Sequence, residues 1–142
     1  KRIQVAHGDI GLAGQLNVSL QAPSTPREEI NFHNIWAAFN TEPENASANA
    51  QGNWALYILR DPTTPIPSFS NAAINLETIN YDIIACGVWG SSNETPETIE
   101  IHPATSRTLP AGAKLILSIH VHGITSGLVS TQASLCAHTV RK

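Results

Sequence analysis

Short segments rich in β-branched and aromatic residues, divided by turn residues, run along the whole chain and constrain its fold most strongly. Nine Pro and nine Gly are spread over 142 residues, so an uninterrupted helical period survives almost nowhere. Many short strands around one core predict an all-β fold, a two-sheet antiparallel sandwich. The segments that predict strands are RIQVAHGDI, QLNVSLQA, INFHNIWAAFN, NWALYILRD, INLETI, YDIIACGVWG, ETIEIHP, KLILSIHVHG and LVSTQASLCAHTV.

The length predicts a single domain over residues 1–142, because a chain of this size can bury a core without disulfide bonds. The connection over residues 60–73 is rich in proline and cannot form a tight hairpin. Asp61, which precedes Pro62, is typical of a residue that begins a turn. A connection of this kind crosses between sheets or protrudes, which favours a jelly roll over an immunoglobulin-like sandwich.

Residues 26–39 fit two predictions. A cap at Thr25, a proline at Pro26 and Glu28 three residues after the cap are typical of a helix start. The helical spacing i, i+3, i+4, i+7 is also present, at Phe32, Ile35, Trp36 and Phe39. The aromatic and Ile content favours a strand, and so does the Gly- and Asn-rich stretch before the next strand. We predict a strand, with a short helix near 26–31 as the alternative.

The stretch KLILSIHVHG, residues 114–123, ends on two histidines one residue apart. Alternate side chains of a strand share a face, so His120 and His122 point away from the apolar face that includes Leu117 and Ile119. Two such imidazoles can bind one metal ion, but a third ligand is needed and the following GITSGLVS contains no acid. We interpret both histidines as polar strand positions at a subunit contact and keep a small metalloprotein as a third hypothesis.

No other pattern predicts catalysis or a cofactor. The sequence has no G-x-S-x-G motif, no P-loop and no Gly-rich dinucleotide turn. We therefore predict a protein that is not an enzyme and that holds no cofactor. Exposed rings could stack on sugars, although core packing is the usual fate of rings within strands. The candidate rings are Trp36, Trp54, Tyr57, Tyr81 and Trp89.

Cys86 and Cys136 stand fifty residues apart in two apolar, strand-like segments. The sequence alone does not decide whether these two cysteines form a disulfide. Buried free thiols are the commoner outcome at such positions, so we expect both cysteines to be buried and unpaired.

The chain carries few charges: 13% of its residues are charged and the formal net charge is −3. This balance argues against a domain whose whole surface grips nucleic acid, and a poorly charged exterior suits burial against copies of the same chain. No run approaches the roughly 18 apolar residues that span a bilayer, so we predict no membrane partner. The absence of Met at position 1 predicts a processed product or a fragment.

Three stretches taken in order, GNWALYILRD, INYDIIACGVWGSSNETP and HPATSRTLPAGAKLILSIHVHGITSG, resemble the cores of single-jelly-roll capsid proteins of small icosahedral viruses, particularly those with single-stranded DNA genomes. The resemblance covers roughly residues 52–140 and is carried most by TSRTLPAGAKLILSI. It implies a viral-type single jelly roll that self-assembles with copies of itself into a capsid shell, located in the virion. It also implies a structural rather than a catalytic role.

Members of that group commonly carry an Arg- and Lys-rich arm that neutralises packaged phosphates. Here four of the eight basic residues lie at the chain ends, so the resemblance implies weak genome contact through Lys1, Arg2, Arg141 and Lys142, or through an arm upstream. The second hypothesis is an extracellular β-sandwich module that binds carbohydrate or forms a surface filament.

Overall fold

The computed structural model describes residues 2–21, 30–61, 63, 65–67, 81–103, 107–109 and 112–141. All the regular structure in these ranges is β-strand, as the sequence predicted. The nine strands are β1 (Arg2–Ile10), β2 (Gln15–Gln21), β3 (Ile30–Pro43), β4 (Asn49–Leu59), β5 (Tyr81–Ser92), β6 (Glu97–Ile101), β7 (Arg107–Leu109), β8 (Lys114–Ile124) and β9 (Val129–Arg141). The segment INLETI, residues 74–79, lies outside the described residues.

The strands form two antiparallel sheets that pack face to face. Sheet A has the order β1-β9-β3-β6, with β7 also paired to β3, and sheet B has the order β2-β8-β4-β5. Strands far apart in sequence therefore lie side by side, and this connectivity is that of a jelly roll. The prediction of an all-β, two-sheet antiparallel sandwich is confirmed.

The main core lies between the sheets. In β8, Leu115, Leu117, Ile119 and Val121 are fully buried and face sheet A. They belong to one cluster with Phe39 and other side chains of sheet A. Full burial of each such side chain is worth about 1.5–3 kcal/mol relative to exposure, so this face of β8 fixes the register of sheet B.

A second apolar cluster covers the outer face of sheet B, the face that points away from sheet A. Tyr57, Leu59 and Ile116 are fully buried there, and Ile66 of the proline-rich connection packs against them. Strand β8 is consequently buried on both faces. The sequence analysis had expected this outer face to be polar and open.

Four short connections meet at one end of the sandwich and are bound to each other by backbone hydrogen bonds. The β5–β6 turn donates to the β3–β4 turn from Asn93 N to Ala48 O at 3.1 Å, and Glu44 N donates to Leu128 O at 2.9 Å. Ala13 N in the β1–β2 turn donates to Val121 O at 2.8 Å. Side chains add to these bonds, since Asn93 Nδ2 donates to Pro43 O at 2.9 Å.

Strand β3 confirms the strand prediction for residues 30–39, while residues 26–29 lie outside the described residues. The pairing of β3 with β9 shifts between His33 and Trp36, and Asn34 at this bulge has φ 50°. Beyond the bulge Ile35 and Phe39 face the core and Trp36 faces outward. The extra residue breaks the two-residue alternation, which is why the sequence there also fits a helical spacing.

Candidate functional surfaces

His120 lies on the face of β8 opposite the main core, as predicted, but it is only 1% exposed. Its direct neighbours across the sheet are Gln15 of β2 and Asn53 of β4. His122 lies where the β4–β8 pairing shifts, next to Gly52, and is half-buried. The sequence analysis interpreted both histidines as polar strand positions at a subunit contact, and His120 is already buried within a single chain.

The surroundings of His120 favour a neutral imidazole. Burial lowers the pKa of His120, and the nearby His122 lowers this pKa further. In the described part of the chain, no group of three His, Cys, Asp or Glu residues is placed to hold a metal ion. The strand neighbours Gln15 and Asn53 are amides, which are not among the usual ligands of zinc.

Polar side chains next to His120 form a hydrogen-bonded chain across sheet B, from buried Tyr57 and Ser118 to exposed Asn17. The Tyr57 hydroxyl lies 2.8 Å from Ser118 Oγ, and Ser118 Oγ donates to Asn17 Oδ1 at 2.6 Å. Gln15 Nε2 donates to the same Asn17 oxygen at 2.8 Å and to Pro67 O at 3.0 Å. The chain thus binds the proline-rich connection to the sheet, which is a structural role.

Tyrosine hydroxyls support the same connection. Tyr81 donates from its hydroxyl to Pro65 O at 3.3 Å. Burial raises the pKa of Tyr57 to about 12, although its hydrogen bond with Ser118 opposes the shift. The phenol is therefore neutral at any physiological pH. At the start of the connection, Asp61 Oδ1 accepts from Thr63 N at 2.9 Å, so the predicted turn at Asp61 is confirmed.

Gly52 permits a close contact between sheet B strands near His120. The Trp89 indole donates from Nε1 to His120 O at 3.2 Å. A Cβ atom at Gly52 would lie 1.8 Å from that carbonyl oxygen and 2.7 Å from the indole nitrogen. Only glycine fits between the two strands at this position.

The five candidate rings do not form a stacking platform. Tyr57, Tyr81 and Trp89 are buried, and Trp54 packs against Phe39 with ring centroids 6.2 Å apart. Core packing is therefore the role of four of the rings. Trp36 alone among the five lies on the outer face of sheet A, half-buried, with its ring 5.7 Å from that of His102.

The outer face of sheet A carries a shallow groove of about 590 Å³. One row of paired side chains crosses four strands in the order His7, Gln132, Asn40 and Thr98. Asn40 Nδ2 donates to Thr98 Oγ1 at 2.9 Å. These four side chains form the polar wall of the groove, which the sequence analysis did not identify.

The floor of the groove is made by the next row of the sheet. Val5, Ser134 and Ala38 are paired across β1, β9 and β3. Ser134 and Ala38 are small and leave a depression between the flanking rows, while Val5 is 72% exposed at one end. The groove depends on the register of strands far apart in sequence, so no local pattern could have predicted it.

Large apolar side chains are exposed at both lateral edges of the sandwich. On β1, an edge strand of sheet A, Ile3 is 58% exposed. On β5, which pairs only with β4 among the described strands, Val88 is 77% exposed and Ile83 is 40% exposed. Residues 83–93 contain no Asp, Glu, Lys or Arg.

Both cysteines are free, but neither is buried. Cys86 is exposed and Cys136 is partly exposed. Cys86 pairs with Ala55 in sheet B, and Cys136 pairs with Trp36 in sheet A, and both point outward. A disulfide between them within one chain is ruled out, since the two sheets separate the thiols. The expectation of buried thiols is wrong because both positions lie on outer faces.

Two of the predicted genome-contact residues, Lys1 and Lys142, lie outside the described residues. For Arg2 and Arg141 the backbone is described but not the side chain. Arg2 is paired with Ala137, four residues before Arg141, so β1 begins where β9 ends. Both lie at the end of sheet A opposite the four short connections. In the part of the chain that the structure describes, no helix is long and apolar enough to cross a membrane.

No protein-family model matches the sequence, and no curated protein matches it either. Among solved structures, one described as "CBM4 structure and function" aligns over 97% of this chain and 71% of its own, at 11% identity and TM-score 0.39. Another, "Structure of infectious bursal disease virus Gx strain", aligns over 98% of this chain and 42% of its own, at 11% identity and TM-score 0.16. Scores of this size assign no function to the chain.

Proposed function

We propose that the chain is a structural subunit that assembles with copies of itself into a shell of the viral capsid type. The observation that carries this proposal is the exposure of large apolar side chains at both lateral edges of a jelly roll. Soluble monomers rarely leave such side chains together at a sheet edge, and they usually protect edges with Lys or Pro. Strand β5 has neither residue type.

Low charge supports the same proposal. Residues 115–140, which hold nearly all of β8 and β9, contain no Asp, Glu, Lys or Arg. Copies with so little charge repel each other weakly, so neutral contacts can form between them. A specific contact buries about 800 Å² on each partner.

Apolar edges on both sides allow each subunit to contact two neighbours. A contact that joins one edge to a different edge of the next copy is heterologous, and it closes into rings when the rotation between copies permits. Each contact can be weak because a closed shell repeats it many times. The subunit then needs no catalytic chemistry and no cofactor.

The proposal also assigns a site of contact with the packaged genome. The pairing of β1 with β9 brings the Arg2 and Arg141 positions to one end of sheet A. Basic side chains grouped at one end would neutralise phosphates on one side of a shell, and binding through them would weaken steeply with salt. In this proposal the assembled protein belongs to a virion.

Electron microscopy and analytical ultracentrifugation of the purified chain test the proposal. Closed particles of uniform diameter are expected. Ile3→Lys and Val88→Lys should each abolish the particles, because each places a charge where an apolar contact is buried, while both side chains are too exposed to be needed for folding. Gln4→Lys is the matched control, since Gln4 is already polar and exposed beside Ile3.

The outcomes separate assembly from folding. Circular dichroism should show the same β signal for all three variants. A wild-type chain that stays monomeric at high concentration contradicts the proposal, and so do particles that persist in both Ile3→Lys and Val88→Lys.

A further inference from the structure

We infer that the groove on the outer face of sheet A binds a neutral oligosaccharide. Val5 and His7 of the edge strand β1 line this groove, whereas Ile3 and Val88, which are substituted in the assembly test, do not, so the two proposals are tested with different variants. The groove volume of about 590 Å³ lies within the range of small-ligand sites in proteins.

The polar wall has the chemistry that recognises hydroxyl groups. Gln132 and Asn40 each offer an amide donor and an amide acceptor, and Thr98 adds a hydroxyl. A sugar hydroxyl also donates and accepts hydrogen bonds. Neighbouring amides can therefore donate one hydrogen bond to a hydroxyl and accept another from it. The Asn40–Thr98 hydrogen bond at 2.9 Å holds the amide with its oxygen available to a ligand.

The floor of the groove suits the other face of a sugar. Val5 and Ala38 present methyl groups to the groove. Trp36 lies two residues before Ala38, on the same outward face of β3. A pyranose ring has a C–H face that packs on apolar and aromatic surface while its hydroxyls reach polar groups at the side. An apolar floor beside one polar wall matches that division.

Charge selects the class of ligand. Among the residues that the structure describes, no Asp, Glu, Lys or Arg lines the groove. A phosphate, a carboxylate or an amine would lose its water without gaining an opposite charge, which is costly. A neutral ligand binds without this cost of desolvating a charge.

The dimensions indicate a short chain of sugars. The polar wall crosses four strands, and adjacent strands lie about 4.8 Å apart, so the wall is about 14 Å long from His7 to Thr98. The groove is open and shallow, so a ligand contacts it with one side. An oligosaccharide lying across the strands fits both features better than a single sugar.

Isothermal titration calorimetry with the purified chain tests the inference. The probes are cellotriose, xylotriose, mannotriose and triacetylchitotriose, each to millimolar concentration. At least one should give a saturable heat of binding. Gln132→Ala should weaken that binding about three- to tenfold, the effect expected for loss of a hydrogen bond to a neutral ligand.

A matched pair of variants locates the site. Ser134→Phe fills the floor of the groove and should abolish binding. Ser130→Phe makes the same change on the same outward face of β9, opposite Asp9 and outside the groove, and should preserve it. Thr98→Ala gives a second test of the polar wall. The Thr98 side chain contributes nothing to the core, so this variant should fold normally and bind the sugar more weakly.

Three results would overturn the inference. The first is no heat of binding with any of the four probes. The second is binding that Ser134→Phe and Gln132→Ala leave unchanged. The third is a Ser134→Phe variant that fails to assemble while Ser130→Phe assembles and neither chain binds sugar, because a second copy would then be the occupant of the groove.

Discussion

Ser118→Ala gives the sharpest test of the hydrogen-bonded chain across sheet B. Ser118 is fully buried, lies 2.8 Å from the Tyr57 hydroxyl and donates to Asn17 Oδ1 at 2.6 Å. Removal of its hydroxyl therefore removes two hydrogen bonds. A hydrogen bond of this kind contributes about 0.5–1.5 kcal/mol net, so we expect a loss of about 1–3 kcal/mol in the free energy of unfolding.

Tyr57→Phe separates the two bonds. This variant removes the Tyr57–Ser118 bond and leaves Ser118 donating to Asn17, so it should cost about half as much as Ser118→Ala. Urea unfolding followed by tryptophan fluorescence measures both. A loss of about 2 kcal/mol, with a slope of about 2 kcal/mol per molar urea, lowers the midpoint by about 1 M without changing the slope.

Ser19→Ala is the matched control, because Ser19 is a half-buried serine on the outer face of the neighbouring strand β2. Its effect should stay within about 0.5 kcal/mol. The reasoning is refuted if Ser118→Ala destabilises the protein no more than Ser19→Ala. It is also refuted if Tyr57→Phe costs more than Ser118→Ala.

Three further predictions rest on single sites. Gly52→Ala should prevent folding or cost more than about 4 kcal/mol, because the new Cβ atom would overlap His120 O, and thermal denaturation measures this. The pKa of His120 is lowered in the folded state, so the unfolded state binds protons more readily and stability should fall as pH drops below 6.5. His120→Gln should flatten that pH dependence in urea titrations. Cys86 should react with a thiol reagent faster than Cys136, and mass spectrometry should find no disulfide between them within one chain.

The sequence predicted the strands well where local patterns decide. The alternation in residues 115–121 predicted β8 and its core-facing side, because the period of two is imposed by the strand itself. The secondary structure of residues 30–39 was harder to predict. Its bulge at His33 to Trp36 inserts a residue and makes a strand resemble a helix in spacing.

The functional surfaces were less predictable because they depend on long-range pairing. The outer face of sheet B, on which His120 is buried, is covered in part by Ile66 from a distant part of the chain. The groove brings His7 and Gln132 together from opposite ends of the sequence. Residue types alone predict neither the burial of His120 nor the groove. The alternation of a strand assigns each side chain to a face, but it does not indicate what packs against that face.

The strand order also dictates when the protein can fold during its synthesis. Strand β1 pairs with β9 and β2 pairs with β8, so the first two strands of the sandwich to be synthesised have their partners in its last two strands. Loop closure over so many residues slows folding and leaves apolar strands exposed to other nascent chains. A polysome making this protein therefore holds many unpaired β1 and β2 strands at once. Their interstrand hydrogen bonds form only after β8 and β9 have been translated.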